Sequence, residues 1–250
     1  MTCSKNLSDY DRDFMKMLQE SKLLIVDLDG TLIDFEKIDN MIIKQLFPDS
    51  RIIDTIDNIL WKVNRLDVLG NGYAGLKIRL AVYSMFSKYT LKECKRMYGA
   101  MYEELARVEL ASVYASTLSK IIANGYKVAI VTKNVYAKNL LEKSFFKTNK
   151  EISDNLSLVI LRKDKKKKFK DMVKQYEGKV CVIGNNLSDD IMNSYKIGSP
   201  FIYIGKSKAI NFILSLVNKI AYKIGIKSIY NRGIQFRTFR QVGTVFEKKK

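Results

Sequence analysis

Histidine is absent from this 250-residue chain. Its absence excludes imidazole acid–base catalysis, Ser–His triads and His-ligated metal centres, so carboxylates and lysines must carry any chemistry. Cysteine occurs only three times, at Cys3, Cys94 and Cys181. An odd, scattered set gives neither a disulfide framework nor a thiolate metal cluster. Cys181 lies within an apolar run and reads as a packed thiol, which fits a reducing cytoplasm. No stretch reaches about 18 uncharged apolar residues, so no spanning helix is expected. Met1 to Lys22 is polar and charged and does not read as a signal peptide. These features together point to a cytoplasmic protein.

Acidic residues are also in short supply. Asp and Glu number 26 against 44 Lys and Arg, a formal net charge of +18. The surplus is uneven. Residues 35–114 hold 12 basic and 10 acidic residues, whereas residues 206–250 hold 11 and one. A second basic cluster occupies 162–170. Such a balance suits anionic partners: a small phosphorylated substrate, an anionic membrane surface or nucleic acid, the last the least favoured. Lysine-rich composition bias alone is the plain alternative. Between Lys208 and Ile226, lysines and other polar residues recur on one side of an apolar helical pattern. This segment reads as an amphipathic helix that packs on the protein or lies on an anionic membrane.

What is present is an ordinary apolar content, 47%, and a change of pattern along the chain. Helical spacing is expected over Ser8–Ser21. The same spacing recurs from Phe35 to about Val113, through Ile38, Ile42 and Leu46, then Leu76, Leu80 and Tyr83. Thr90 and Glu93 have capping-box spacing. The glycine-rich run Gly70–Gly75 lacks a P-loop Lys-Ser/Thr and reads as a linker or hinge. From Ser116 onward, helices and strands alternate: helix 116–124, strand 126–131, helix 135–146, strand 156–161, helix 165–176, strand 179–183, helix 188–197 and strand 201–204. Gly125, Gly178 and Gly198 stand at helix ends. Alternation of this kind predicts an α/β fold with a parallel sheet covered on both faces. Ile234–Phe239 alternates like an edge strand.

The most specific stretch is Asp27-Leu28-Asp29-Gly30-Thr31-Leu32. It follows the apolar run Leu23-Leu24-Ile25-Val26, a predicted buried strand. Two carboxylates two residues apart thus stand at a strand's carboxyl end, where open α/β sheets bind ligands. One carboxylate can attack phosphorus while the other handles a proton.

Three further segments extend the pattern: Thr132 after Val128–Val131, a lysine within Lys163–Lys168, and Gly184-Asn185-Asn186-Leu187-Ser188-Asp189-Asp190 after Val180–Ile183. With them the chain resembles the haloacid dehalogenase-like (HAD) superfamily, whose members are mostly phosphatases. The resemblance covers residues 20–34 and about 113–204. It implies a Rossmann-like three-layer α/β core formed by 1–34 and 113–206. An inserted all-helical cap of the type-1 class would span 35–112, and a basic extension 207–250.

The resemblance also implies roles. Asp27 is the nucleophile that forms an aspartyl-phosphate, and Asp29 is the general acid and then the base. Thr132 binds phosphate together with the lysine, which is Lys165 counting back from Phe169, with Lys163 and Lys166 as competitors. Mg²⁺ is the implied cofactor, with Asp27, the backbone carbonyl of Asp29, Asn185, Asp189 and Asp190 as candidate ligands. Asn185 departs from the family, which usually carries an acid there. The implied activity is Mg²⁺-dependent hydrolysis of a small phosphomonoester. The alternatives are a phosphomutase of the same superfamily and a weakly or non-catalytic HAD-like binding or membrane-associated protein.

Overall fold

The structure is a computed structural model that describes residues 16–48, 51–53, 55, 56, 59, 72–137, 140, 155–160, 165–205, 233–236 and 239–242. Its centre is a six-stranded sheet: β1 (Leu23–Val26), β2 (Lys127–Thr132), β3 (Leu156–Ile160), β4 (Val180–Gly184), β5 (Phe201–Ile204) and β6 (Gly233–Phe236). The spatial order is β3-β2-β1-β4-β5-β6, and every neighbouring pair is parallel. Chain direction across the sheet reverses at β1, so β1 and β4 flank the topological switch point. The crevice beyond their carboxyl ends is where such sheets bind ligands.

The inner strands of a parallel sheet are buried on both faces, and β1 and β4 at its centre are buried along their whole length. On β1, Leu24 and Val26 face one core with Val128, Ile130, Cys181 and Ile183. Leu23 and Ile25 face the other with Ala129, Val131, Val180 and Val182. The period of two along each strand produces this division. The second core is closed by Phe169 and Met172 from a helix spanning Lys165–Gln175. Cys181 is fully buried, as its apolar neighbours require. Gly125, Gly178 and Gly198 all have positive φ, and Gly198 caps its helix in the left-handed conformation.

The first core is closed by helices from the insert: α1 (Phe35–Leu46), α2 (Gly72–Met85) and α3 (Leu91–Val113). α1 buries Ile38, Ile42, Ile43 and Leu46, while Met41 is exposed. The N terminus of α3 carries the expected capping box. Thr90 Oγ1 accepts from the Glu93 N–H at 3.3 Å, and the Glu93 carboxylate accepts from the Thr90 N–H at 2.8 Å. α1, α2 and α3 enclose a buried ion pair. Arg79 donates to Asp39 at 2.7 Å and to the Tyr83 hydroxyl at 3.0 Å, and the Tyr98 hydroxyl donates to Asp39 at 2.6 Å. This network satisfies charges that would otherwise be costly to bury.

Three expectations change. The helix read as 116–124 is not separate, because α3 runs through a π-helical turn, Tyr114–Leu118, into Ser119–Ala123. The extra residue in such a turn shifts the apolar phase, and the sequence reads as two helices. Gly72-Tyr73-Ala74-Gly75 lies in α2 rather than in a linker. The helix read as 188–197 begins as another π-helical turn, Leu187–Ile191, followed by Met192–Ile197. The expected edge strand is β6 over Gly233–Phe236, whereas Phe239, read as its last residue, opens a short helix, Phe239–Val242, and Phe239 and Val242 are buried in the first core. The helices read at 135–146 and 208–226 fall wholly or mostly outside the described residues, as does most of Ser8–Ser21.

Candidate active site

Asp27 is the first residue beyond β1, and its N–H donates to the Ile183 carbonyl of β4 at 2.9 Å. The strand pairing therefore carries Asp27 to the lip of the sheet. Gly30 then turns the chain at φ +78°, a conformation that favours glycine. A Cβ there would also collide with the Asn185 carboxamide arriving from β4. Thr31 Oγ1 donates to Asn185 Oδ1 at 3.4 Å. The two loops at the switch point thus interlock, and only a glycine permits it.

Among the described lysines of the Lys163–Lys168 run, Lys165 is the buried one. It is the first residue of its helix and only 3% exposed, and Lys166 lies beside it nearer the surface. Lys163 lies outside the described residues. The Lys165 ammonium donates to Asp27 Oδ1 at 2.6 Å and to Asp190 Oδ1 at 2.7 Å. One cation thus ties the ends of β1 and β4 together. Asp190 is held further by the Asn186 N–H, 3.1 Å from its Oδ2. A Cβ on Gly184 would strike the Asp190 carboxylate, so that glycine leaves room for it.

Asp189, the adjacent candidate, goes elsewhere. Its Oδ2 accepts from the Lys133 ammonium at 2.6 Å, at a part-exposed position. The π-helical turn at 187–191 sets which of the two acids faces Lys165.

Asp29 is held from two sides. The Tyr102 hydroxyl donates to its Oδ1 at 2.6 Å, and Asn134 Nδ2 donates to its Oδ2 at 2.9 Å. Thr132 ends β2 and is buried, and its Oγ1 accepts from the Asn134 N–H at 3.0 Å. The arrangement brings Asp27, Asp29, Thr132, Lys165 and Asp190 into one cluster, with Asn185 packed against Gly30 beside it.

Sequence reasoning passed over Tyr102. The Tyr98, Tyr102, Ala106 and Leu110 spacing gives a buried stripe on α3, but nothing local says that one hydroxyl reaches a carboxylate 73 positions earlier. Asn134 was visible only as a neighbour of Thr132.

Negative charge is in surplus here. The Lys165 ammonium bonds Asp27 and Asp190, and Asp29 feels its charge without bonding it. Burial pushes Asp27 up to about 7 from 3.8, Asp190 and Asp29 push the same way, and Lys165 opposes them. Burial also raises Asp29, against the hydrogen bonds from Tyr102 and Asn134 and the charge of Lys165. The Tyr102 hydroxyl is held well above its ordinary value by burial and by Asp29, so it acts as a neutral donor. Lys165 is held above its ordinary range by Asp190 and Asp27, although burial opposes this.

Among the described residues, no three His, Cys, Asp or Glu side chains converge as a ready-made cation cage. The donor set nonetheless suits a hard cation: the carboxylates of Asp27 and Asp190, the amide oxygen of Asn185 and the carbonyl of Asp29 are all oxygens. A divalent ion beside Asp27 would counter the burial and the neighbouring carboxylates that raise it.

No family model and no curated protein matches the chain. Solved structures do. L-2-haloacid dehalogenase from Xanthobacter autotrophicus, with chloropropionic acid covalently bound, is 12% identical with a TM-score of 0.51, covering 92% of this chain and 100% of that one. The HAD-hydrolase YfnB from Bacillus subtilis, bound to magnesium, is 16% identical with a TM-score of 0.50, covering 74% of this chain and 88% of that one. Sheet order, strand directions and these likenesses agree: the chain has the Rossmann-like α/β fold of the haloacid dehalogenase-like proteins.

Proposed function

We propose that the chain hydrolyses a small phosphomonoester, with Mg²⁺, through an aspartyl-phosphate on Asp27. The observation that carries this reading is the Lys165 bridge from Asp27 to Asp190 at the switch point, with Asp29 two residues from Asp27. An Asp27 oxygen forms a bond to phosphorus as the bond from phosphorus to the leaving oxygen breaks. Asp29 gives its proton to that oxygen. Water then attacks the phosphorus, Asp29 takes the proton back, and inorganic phosphate departs with Asp27 restored. The Lys165 ammonium and the Thr132 hydroxyl bind phosphoryl oxygens, which spread negative charge during transfer.

Asp27, the Asp29 carbonyl, Asn185 and Asp190 would hold the Mg²⁺; Asp189 is set aside because it pairs with Lys133, outside the Asp27–Lys165–Asp190 cluster. When bound, the ion neutralises phosphate charge and keeps Asp27 ionised. The helices of 35–112 serve as a cap over this site, a reading supported by Tyr102 reaching Asp29 from α3. YfnB was solved with magnesium bound, which agrees with a cation role here.

Asn185 favours a second reading, a weakly catalytic binding protein, because an amide supplies one charge fewer than the family's acid. A panel of phosphomonoesters, assayed with and without Mg²⁺ alongside Asp27→Asn, decides between them. Mg²⁺-dependent release of phosphate that Asp27→Asn abolishes supports the enzyme. No release from any ester by folded protein supports the second reading.

A further inference from the structure

We propose that Tyr102 and Asn134 are positioning residues that hold the Asp29 carboxyl for proton transfer at the leaving oxygen, an inference that rests on the phosphomonoesterase reading above. Tyr102 is fully buried on α3 and donates to Asp29 Oδ1 at 2.6 Å. Asn134 donates to Oδ2 at 2.9 Å from the loop after β2. The two donors come from different parts of the fold and grip both oxygens, which fixes the plane of the carboxyl group.

The grip is itself oriented. The Tyr136 N–H donates to Asn134 Oδ1 at 3.0 Å, so the Asn134 amide nitrogen is the end that faces Asp29. The Tyr136 ring is anchored against α3, its centroid 5.8 Å from that of Tyr98 and 6.2 Å from that of Tyr102. Gly99 makes this possible, since a Cβ there would come within 2.8 Å of the Tyr136 ring. Asp29, Asn134, Tyr136 and Tyr102 therefore form one closed assembly joining the insert to the core.

This assembly suits an acid that must aim. An ionised carboxylate offers roughly four lone-pair sites, and the two donors occupy one on each oxygen. The Thr132 hydroxyl also acts on this carboxyl, and the sites left over serve the transferred proton and the incoming water. As the Asp27 oxygen bonds to phosphorus, the electron pair of the breaking bond goes to the leaving oxygen, and the Asp29 proton goes to it too. In the second half, Asp29 recovers a proton from the attacking water. No co-reactant beyond ester and water is needed. A freely rotating carboxyl would lose alignment at both steps, and misalignment is costly in rate.

The test uses the full chain with Mg²⁺ and a series of phenyl phosphates, from p-nitrophenyl to p-methoxyphenyl, together with an alkyl phosphate. Nitrophenolate leaves with little help from a proton, whereas an alkoxide needs it. In Tyr102→Phe, kcat/KM is expected to fall about 10- to 100-fold further for the alkyl ester than for p-nitrophenyl phosphate. Its dependence on leaving-group basicity should steepen toward that of Asp29→Asn. Asn134→Ser should steepen it in the same direction, and it decides the matter if Tyr102→Phe does not fold by circular dichroism. A uniform loss across the series, or none, overturns the positioning role while leaving the phosphatase reading intact. A folded wild-type protein inactive on every ester overturns both.

Discussion

Replacing Lys165 by Met removes the ammonium that stands between Asp27 and Asp190. The two ion pairs it breaks are 2.6 and 2.7 Å long, and the lysine side chain is 3% exposed. Met preserves the apolar stem but leaves two buried carboxylates facing each other. Removing one partner of a buried ion pair costs about 3–5 kcal/mol, and this site falls in that range at neutral pH.

The pH dependence gives the sharper test. Asp27 sits at about 7 in the folded protein and 3.8 in the unfolded chain. Its charge therefore costs stability above pH 7, and the cost fades as pH falls toward 3.8. A shift of that size corresponds to at most roughly 4 kcal/mol. Lys165 is raised, so its stabilising contribution is complete below 10.5 and is lost only as pH rises through its folded value. Without it Asp27 rises further, since the ammonium is what holds it down. The gap between wild type and Lys165→Met should be widest above neutrality and should shrink on acidification. Urea unfolding followed by circular dichroism at about pH 4.5 and about pH 8 measures both gaps. A loss under about 1 kcal/mol, equal at the two pH values, would mean that Lys165 does not balance the two buried carboxylates.

Two further outcomes follow from the geometry. Arg79→Met should cost about 3–5 kcal/mol, because Asp39 is fully buried and would lose the guanidinium that balances its charge; an unchanged urea midpoint would count against a buried charge pair as the anchor of the insert. Asn185→Asp should lower the Mg²⁺ concentration giving half-maximal phosphatase activity, since a carboxylate attracts the ion more strongly than an amide; an unmoved titration would remove position 185 from the metal site.

Legibility differed by type of feature. β1 and β5 were readable to the residue, because buried parallel strands are short apolar runs bounded by turn residues. The capping box at Thr90 and the helix ends at Gly125 and Gly198 are local chemistry and were equally plain. Lys165 was singled out from its lysine run only through the family resemblance, by its distance from Phe169; its bonds to Asp27 and Asp190 depend on residues far away in sequence and leave no local mark. The choice between Asp189 and Asp190 was not readable. It depends on the phase of a π-helical turn, which leaves no compositional mark. The continuity of α3 into Ser119–Ala123 was hidden for the same reason. Tyr102 was hidden because its partner is distant in sequence, and the buried stripe that contains it looks like ordinary core.

In the proposed reaction Asp27 becomes phosphorylated during turnover. The most direct measurement is mass spectrometry of the protein quenched in acid during turnover of p-nitrophenyl phosphate with Mg²⁺, with peptide mapping of the modified residue. The expected result is an acyl-phosphate on Asp27 that hydroxylamine removes and that is absent from Asp27→Asn. Steady turnover with no covalent phosphate at any quench time, or phosphate on another residue with Asp27→Asn still active, would contradict it.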